Sequence, residues 1–236
     1  MPARLSKRTA AVLPACLAAA LTATPVTAQM LEEVVVTATK REVGLQDVPI
    51  ALSVMGRDKI MEQGIRSMTD VTVFMPNVHV AEASAGDNLF IRGVGSGINY
   101  GFEQSVGTFI DGVYFGRGQA SRSAFLDLER IEVLKGPQST LFGKNTIAGA
   151  INITTAQPTD ETEIIVDVTA EPEFDAASAT LTVSGPITDT LAGRFVIKGA
   201  ETDGWMDNKT LGEDEVNRED LIGRLTLAWE ATDELR

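Results

Sequence analysis

The sequence is poor in the side chains that most often carry chemistry: it has one cysteine, Cys16, and one histidine, His79, in 236 residues. A lone thiol closes no intramolecular disulfide, and a lone imidazole with no second histidine or cysteine at ligand spacing builds no protein metal site. No Ser/His/Asp or Cys/His set can be assembled either, so no enzyme activity, metal or cofactor is expected. Positive charge is also scarce, with 20 Lys and Arg against 33 Asp and Glu and a formal net charge of -13. Such a surface repels phosphate, no basic cluster offsets it, and nucleic acid is excluded as a partner. Beyond the first thirty residues no apolar run reaches the ~18 residues of a spanning helix, so any membrane crossing falls to strands. What remains, 44% hydrophobic and 22% charged, is the composition of a chain that buries a core.

Residues 1–28 are laid out as a secretory signal. Arg4, Lys7 and Arg8 lead, Thr9 to Ala23 is uncharged and rich in Ala and Leu, and Val26-Thr27-Ala28 precedes Gln29. Cleavage after Ala28 removes Cys16 and three basic residues but no acidic one, which takes the net charge from -13 to -16. A retained anchor is the competing reading, opposed by Pro14, Pro25 and the threonines of the run. Leu13-Pro14-Ala15-Cys16 can also be read as a lipoprotein acceptor site, but the apolar run before it is very short.

Met30 to Val43 lacks helical periodicity, and its Val34 to Thr39 centre has strong β-propensity with nothing local to pair with. A strand without a partner in its own domain is a candidate for pairing with another protein. The pattern from Gln46 to Thr155 then predicts one folded domain. Val48 to Met55 alternates as a half-buried strand. Helices follow over Asp58 to Gln63 and from Ser67, where Asp70 completes a capping box and the run stops before Pro76. Asn88 to Arg92 and Val106 to Ile110 read as strands, and Asp111-Gly112 as a two-residue turn into Val113 to Phe115. Gly93 to Gln104 is a Gly-rich loop. Gly136, Gly143 and Gly149 frame a short helical turn over Gln138 to Phe142 and a strand over Ala150 to Thr154, and serve backbone geometry rather than ligand contact. Two nucleotide motifs fail. Six residues separate Gly136 from Gly143-Lys144 and Asn145 replaces the required Ser or Thr; Gly93 to Gly97 lacks the following glycine and helix.

From Thr162 the texture changes. Glu163 to Thr169, Ala179 to Ser184, Leu191 to Ala200 and Leu221 to Glu230 alternate apolar and polar residues over the length of a transmembrane strand. Phe195 and Ile197 face one side and Arg194 and Lys198 the other; Leu225, Leu227 and Trp229 oppose Arg224, Thr226 and Glu230. The connections alternate as well, Gly185 to Thr190 short and Glu201 to Asp220 long and acidic, as in an outer-membrane barrel. Four strands close no barrel, and an open edge in lipid leaves backbone groups unpaired. A domain of about 110 residues, roughly 34 Å across, needs a barrel of on the order of 20 strands to enclose it. The sequence therefore reads as the N-terminal third, or less, of a longer protein.

Four blocks carry a family resemblance: EEVVVTATK at Glu32 to Lys40, LQDVPIAL at Leu45 to Leu52, IRGVG at Ile91 to Gly95, and ERIEVLKGPQSTLFGKNTIAGAINITT at Glu129 to Thr155. They resemble the coupling segment and plug domain of TonB-dependent outer-membrane receptors, and residues 162–236 resemble the opening of their barrel. The chain departs from the commonest pattern at Lys135, where arginine is frequent, and at Asn145 to Ile147, where a Gly-rich stretch is usual. The resemblance implies an α+β plug with a mixed sheet and short helices, followed by the first antiparallel strands of a transmembrane β-barrel of about 22 strands. The expected layout is a signal peptide over 1–28, a TonB box and linker over 29–45, the plug over 46–157 and an incomplete barrel over 158–236.

By the same resemblance the protein sits in the bacterial outer membrane and imports a scarce solute, most often iron as a siderophore complex, with cobalamin, haem and oligosaccharides open. Glu33, Val34, Val35, Val36, Thr37, Ala38 and Thr39 are expected to be captured by the C-terminal domain of TonB, itself energised by an inner-membrane complex, through strand addition. Arg130, Glu132 and Lys135 are expected to pair with the barrel wall. Asp87, Asn88, Tyr100, Phe102, Glu103 and Gln104 are candidates for solute contact, because aromatic rings give flat apolar surface and amides and carboxylates orient a polar ligand. Lipid is the remaining partner. A soluble periplasmic binding module and a non-functional truncated product are the competing readings.

Overall fold

The chain contains two kinds of strand, short ones that share a core with helices and long ones whose two faces meet different surroundings, and the structure separates them. A computed structural model describes residues 35–36, 43–44, 48–81, 86–97, 103–118, 125–203, 206–210, 212–215 and 217–231, all within the unit Val35–Arg236. The segment expected to be a secretory signal, 1–28, lies outside the described residues.

Two residue pairs begin the order. β1 (Val35–Val36) and β2 (Val43–Gly44) form a two-stranded antiparallel ribbon, with Val35 opposite Gly44 and Val36 opposite Val43. The domain that follows is built on β3 (Leu52–Gly56), β7 (Val106–Ile110), β8 (Val113–Phe115), β9 (Leu128–Lys135) and β10 (Gly149–Thr155), in the spatial order β3-β9-β10-β7-β8. β10 runs parallel to β7 and the other pairs are antiparallel, so the sheet is mixed as expected. A second sheet joins β4 (Val78–Ala81), β5 (Asn88–Ile91) and β6 (Val94–Gly95).

Helices α1 (Arg57–Glu62) and α2 (Met68–Phe74) bury Ile60, Met68 and Val71 in one cluster with Met55, Val106, Ile131, Val133, Ile151 and Ile153. Each such side chain contributes about 1.5–3 kcal/mol when fully buried. Ser67 caps α2 as the sequence implies, accepting from the Asp70 amide, while the Asp70 carboxylate accepts from the Ser67 hydroxyl and the Arg66 amide. On the opposite face Phe109, Leu134 and Ala150 pack with Leu52 and with Phe142 of α3 (Ser139–Phe142), whose ring meets Phe109 edge-on at 4.9 Å.

Turn chemistry fixes the hairpins. Asp111 and Gly112 both have positive φ, 49° and 79°, as a type I′ turn requires between Ile110 and its partner Val113. Arg92 and Gly93, at 52° and 79°, turn β5 into β6 the same way, which is why the strand expected to reach Arg92 stops at Ile91. The strand expected from Val48 starts only at Leu52, the first residue paired with β9, since Pro49 has no amide to offer a ladder. Gly149, with a φ of 156°, marks a close approach of backbone to backbone: a Cβ there would lie 2.4 Å from the Leu134 carbonyl oxygen and 2.7 Å from Ile91 Cδ1.

Four long strands form the remaining principal sheet: β11 (Glu163–Glu171), β12 (Ala176–Thr188), β13 (Leu191–Thr202) and β16 (Arg218–Trp229), each antiparallel to the next. They extend past the expected limits because Ala176-Ala177 and Gly185-Pro186 break the apolar alternation without breaking the pairing. Between β13 and β16 a small ribbon, β14 (Met206–Asn208) with β15 (Glu213–Glu215), occupies part of the long acidic connection. Ile164, Val166, Val168, Phe195, Leu225, Leu227 and Trp229 are exposed on one face, while Thr182, Ser184, Arg194 and Val196 are buried on the other against the first domain. Among the described residues no helix is long and apolar enough to cross a membrane.

Gly149→Ala is expected to destabilise the fold by more than about 1 kcal/mol, read as a lowered thermal midpoint of the purified protein, whereas Gly56→Ala, with open space at its Cβ position, leaves the midpoint nearly unchanged.

Candidate functional site: the junction of plug and wall

The inward face of the long strands carries guanidinium groups in a place where they need anions. Arg194 on β13 is 1% exposed and reaches Asp127, itself 3% exposed. Its Nε donates to Asp127 Oδ2 at 2.6 Å and its Nη2 to Oδ1 at 2.7 Å, the bidentate fork that matches a carboxylate. Its remaining Nη1 donates to Glu163 on β11 at 3.2 Å. Arg224 on β16 donates from Nη2 to the carbonyl oxygens of Leu126 and Asp127, both at 2.8 Å. From within the first domain Arg57 of α1 adds a third guanidinium, 3.1 Å from Asp127 Oδ1. The Asp127 carbonyl also accepts from the amide of Ala156, the residue after β10.

One residue thus ties two wall strands, β13 and β16, to two elements of the first domain, and Arg194 extends the link to Glu163 of β11. Its backbone is in the left-handed region, φ 51°, which a non-glycine residue occupies only when its surroundings over-determine it. Burial pushes the Asp127 carboxyl up, but the hydrogen bonds and charge of Arg194, with the charges of Arg57 and Arg224, outweigh it and leave the group below the usual carboxylate range. A second, more exposed tie joins Arg66 to Glu171 of β11 at 2.9 Å.

The three expected wall-contact charges lie on β9, which begins at the residue after Asp127. Glu132 is fully buried, accepting from Arg130 Nε at 3.1 Å and from Asn152 Nδ2 at 2.8 Å, so those contacts join neighbours inside the mixed sheet. Lys135, at the end of β9, has its ammonium pushed down, first by burial and then by the nearby Arg92 guanidinium. Sequence reasoning passed over Asp127 and Arg66. The available signal was the pair of inward arginines, Arg194 and Arg224, on strands whose other face is apolar, since an inward guanidinium calls for a carboxylate opposite.

Of the expected solute contacts, Asp87, Asn88 and Gln104 are buried and Glu103 is exposed. The Asp87 and Gln104 amides donate to the carbonyls of Gly118 and Gly116, so both flank the 116–118 stretch. Asn88 Nδ2 and Gln104 Oε1 are buried without a hydrogen-bond partner among the described residues. Glu103 accepts from Asn145 Nδ2, beside Tyr114. Tyr100 and Phe102 lie outside the described residues, as do Glu33, Val34, Thr37, Ala38 and Thr39; only Val35 and Val36 of that segment are described, as β1. No group of His, Cys, Asp and Glu among the described residues has metal-binding geometry.

The sequence profile of the TonB-dependent Receptor Plug Domain matches residues 44–150, the span of the mixed sheet and its helices. The iron-regulated outer membrane virulence protein of Vibrio cholerae serotype O1 is 31% identical over 182 residues, covering 68% of this chain and 26% of that protein. The pesticin receptor of Yersinia pestis is 27% identical over 175 residues, covering 71% of this chain and 25% of the receptor. Among solved structures, the ferric yersiniabactin uptake receptor of Yersinia pestis superposes with a TM-score of 0.69 at 25% identity, over 75% of this chain and 28% of that one. The chain belongs to the TonB-dependent outer-membrane receptors, with the plug and the start of the barrel wall represented. It spans about a quarter of the length of the curated relatives it matches.

Asp127→Asn leaves Arg194 buried against an amide, and breaking one partner of a buried pair costs on the order of 3 kcal/mol; plug unfolding in urea is expected at correspondingly lower denaturant. Because the folded pKa of Asp127 is depressed, its contribution is complete above about pH 4, the unfolded value, and is lost as pH falls through the folded one. The acid-side loss of stability is therefore expected to be shallower in the variant than in the wild type.

Proposed function

We propose that this chain supplies the coupling segment, the plug and the first wall strands of a receptor that imports a ferric siderophore across the bacterial outer membrane with energy delivered by TonB. The observation that carries this reading is the plug held on an inward-polar, outward-apolar sheet by the Asp127 cluster. A plug needs to be fixed against its wall and yet releasable, and charge pairs in a polar lumen satisfy both conditions better than a dry apolar contact. The relatives whose names specify iron or siderophore uptake support the choice of cargo.

Glu33 to Thr39 is the handle. Among the described residues β1 is paired on one edge, with β2, and its other edge is the one to accept a strand from the C-terminal domain of TonB. Backbone bonds worth about 0.5–1.5 kcal/mol each make a reversible grip. Of the plug charges expected at the wall, Glu132 is buried within the mixed sheet and pairs there with Arg130 and Asn152, which leaves Lys135, beside Arg92 at the end of β9, as the charge offered to a wall carboxylate. Solute contact stays with Asp87, Asn88, Tyr100, Phe102, Glu103 and Gln104, where the unpartnered Asn88 and Gln104 atoms offer a donor and an acceptor at the foot of the loops.

The exposed row Ile164, Val166, Val168, Leu225, Leu227 and Trp229 is the lipid face. A soluble periplasmic module would have to leave that row in water, beyond what a monomeric soluble protein exposes.

Two experiments test the reading in the complete receptor. A cysteine at Val35 is expected to crosslink to the TonB C-terminal domain, and Val35→Pro, which removes a backbone donor, is expected to abolish iron uptake with solute binding intact. Uptake by the proline variant equal to wild type refutes the handle.

A further inference from the structure

On the side of their short turn the wall strands end around a cavity of about 400 Å³. Short turns lie on the periplasmic side of such barrels and long loops outside. The two-residue turn between Thr188 and Leu191 therefore marks the inner rim, and the connection from Thr202 to Arg218 the outer one. The cavity is bounded by that turn, by the Pro158 to Asp160 segment that leads from the plug into β11, and by Ala228 and Glu230 at the end of β16.

We propose that this rim cavity docks the headgroup of a phospholipid bearing a primary ammonium, with the phosphate on the turn and the acyl chains on the outward face. The inference rests on the outer-membrane placement of the wall and is independent of the imported solute. Three observations carry it. The first is that the lining is drawn from both faces of the sheet. Ile187 is exposed on the outward face over Gly193, where a Cβ would lie 2.8 Å from its Cδ1, and Leu191 stands opposite Trp229 in the same outward row. Ala192 and Ala228, paired with each other, belong to the inward face that carries Arg194. A cavity with walls on both faces opens at the edge of the sheet, where lipid gives way to periplasm.

The second observation is depth. Leu221 and Trp229 are exposed on one face of β16. Between them the strand rises about 26 Å, or roughly 20 Å of membrane height at a tilt of ~40°. That is most of an apolar band about 25 Å tall, so Trp229 stands at its inner border, where indole rings sit at headgroup level. Glu230 follows it directly.

Third, the polar groups of the cavity complement that headgroup. Asp160, Asp189 and Glu230 line it without a Lys, Arg or His, and Asp160 and Asp189 form no ion pair among the described residues. An ammonium offers such carboxylates charge-assisted N–H bonds, whereas a phosphoglycerol headgroup brings them further negative charge. The phosphate needs donors, and the turn supplies them. The Thr188 oxygen accepts from the Thr190 amide, so its hydroxyl hydrogen, like that of Thr190, is available to a phosphate oxygen. A quaternary ammonium carries the charge but no N–H.

The test uses the complete receptor in detergent, with native mass spectrometry reading the lipid retained from mixed micelles. Phosphatidylethanolamine is expected to be retained about fivefold over phosphatidylglycerol, the scale set by exposed ion pairs, with phosphatidylcholine between them. Asp160→Asn combined with Asp189→Asn is expected to bring that ratio close to one. Thr188→Val combined with Thr190→Val is expected to lower retention of both lipids, and Glu219→Gln, at the outer end of β16, to keep the wild-type ratio. Folding of each variant is read from heat-modifiable gel mobility. If the double Asp variant fails that check, Asp189→Asn alone, in the exposed turn, repeats the comparison. Equal retention of the ethanolamine and glycerol lipids by wild type overturns the proposal, as does a ratio unmoved in the folded Asp variant or moved equally by Glu219→Gln. If trilysine binds wild type and not the Asp variant while the lipids show no preference, the cavity belongs to a basic periplasmic peptide and the lipid assignment falls.

Discussion

A carboxylate surrounded by three guanidiniums governs how the two halves of this chain meet. Asp127 alone contacts Arg57 of α1, Arg194 of β13 and Arg224 of β16. Its own backbone is held in a conformation that costs of order 1 kcal/mol or more. The cost is tolerable because the side chain is fixed from several directions at once. Arg194 and Arg57 share the carboxylate oxygens while Arg224 holds chiefly the main-chain carbonyls of Leu126 and Asp127, so side chain and backbone of the one residue are fixed together.

Around that point the protein has to satisfy two solvents. The plug makes an ordinary water-facing core, with Ile131, Val133, Ile151 and Ile153 in its centre and α1 and α2 over one face. The wall inverts the usual order, presenting Phe195, Leu225 and Trp229 outward and burying Arg194 and Thr182. The contact between plug and wall is consequently polar, and its specificity comes from charge geometry rather than apolar area. The hydroxyl lining of β11 and β12 supplies hydrogen-bonding groups at that contact, which limits the penalty for exchanging one set of ion pairs for another.

Much of this was legible in the sequence because the signals were local. The Ser67–Asp70 cap, the Asp111-Gly112 turn and the alternation of Phe195 and Ile197 with Arg194 and Lys198 each state their geometry within a few residues. Gly136, Gly143 and Gly149 were readable as backbone positions, and all three have positive φ. Three things were not legible. The partner of Arg194 lies 67 residues away, and nothing in Asp127's neighbourhood separates it from Glu129 as the carboxylate that meets the wall. Glu132 looks like a solvated charge on an alternating strand, yet the adjacent β10 brings Asn152 over it and buries it. Asp87, Asn88 and Gln104 have loop composition, but Asp87 and Gln104 pair through their backbones with Gly118 and Gly116, and Asn88 opens β5 opposite Ala81, which draws all three beneath the surface.

The antiparallel ribbon of β1 and β2 has a mechanical meaning. In the proposed coupling role, tension entering at Val35 and resisted beyond Gly44 would be applied to the two open ends of this ribbon, so its pairs would separate one after another instead of shearing together. Peeling demands little force, and parting Val35 from Gly44 and Val36 from Val43 adds slack to the chain ahead of the plug. An energised partner would take up this slack before any load reached the plug's sheet. The ribbon would act as a fuse in series with the plug, so that a brief or badly aligned tug is spent on unzipping four residues and only a sustained one is felt at β3.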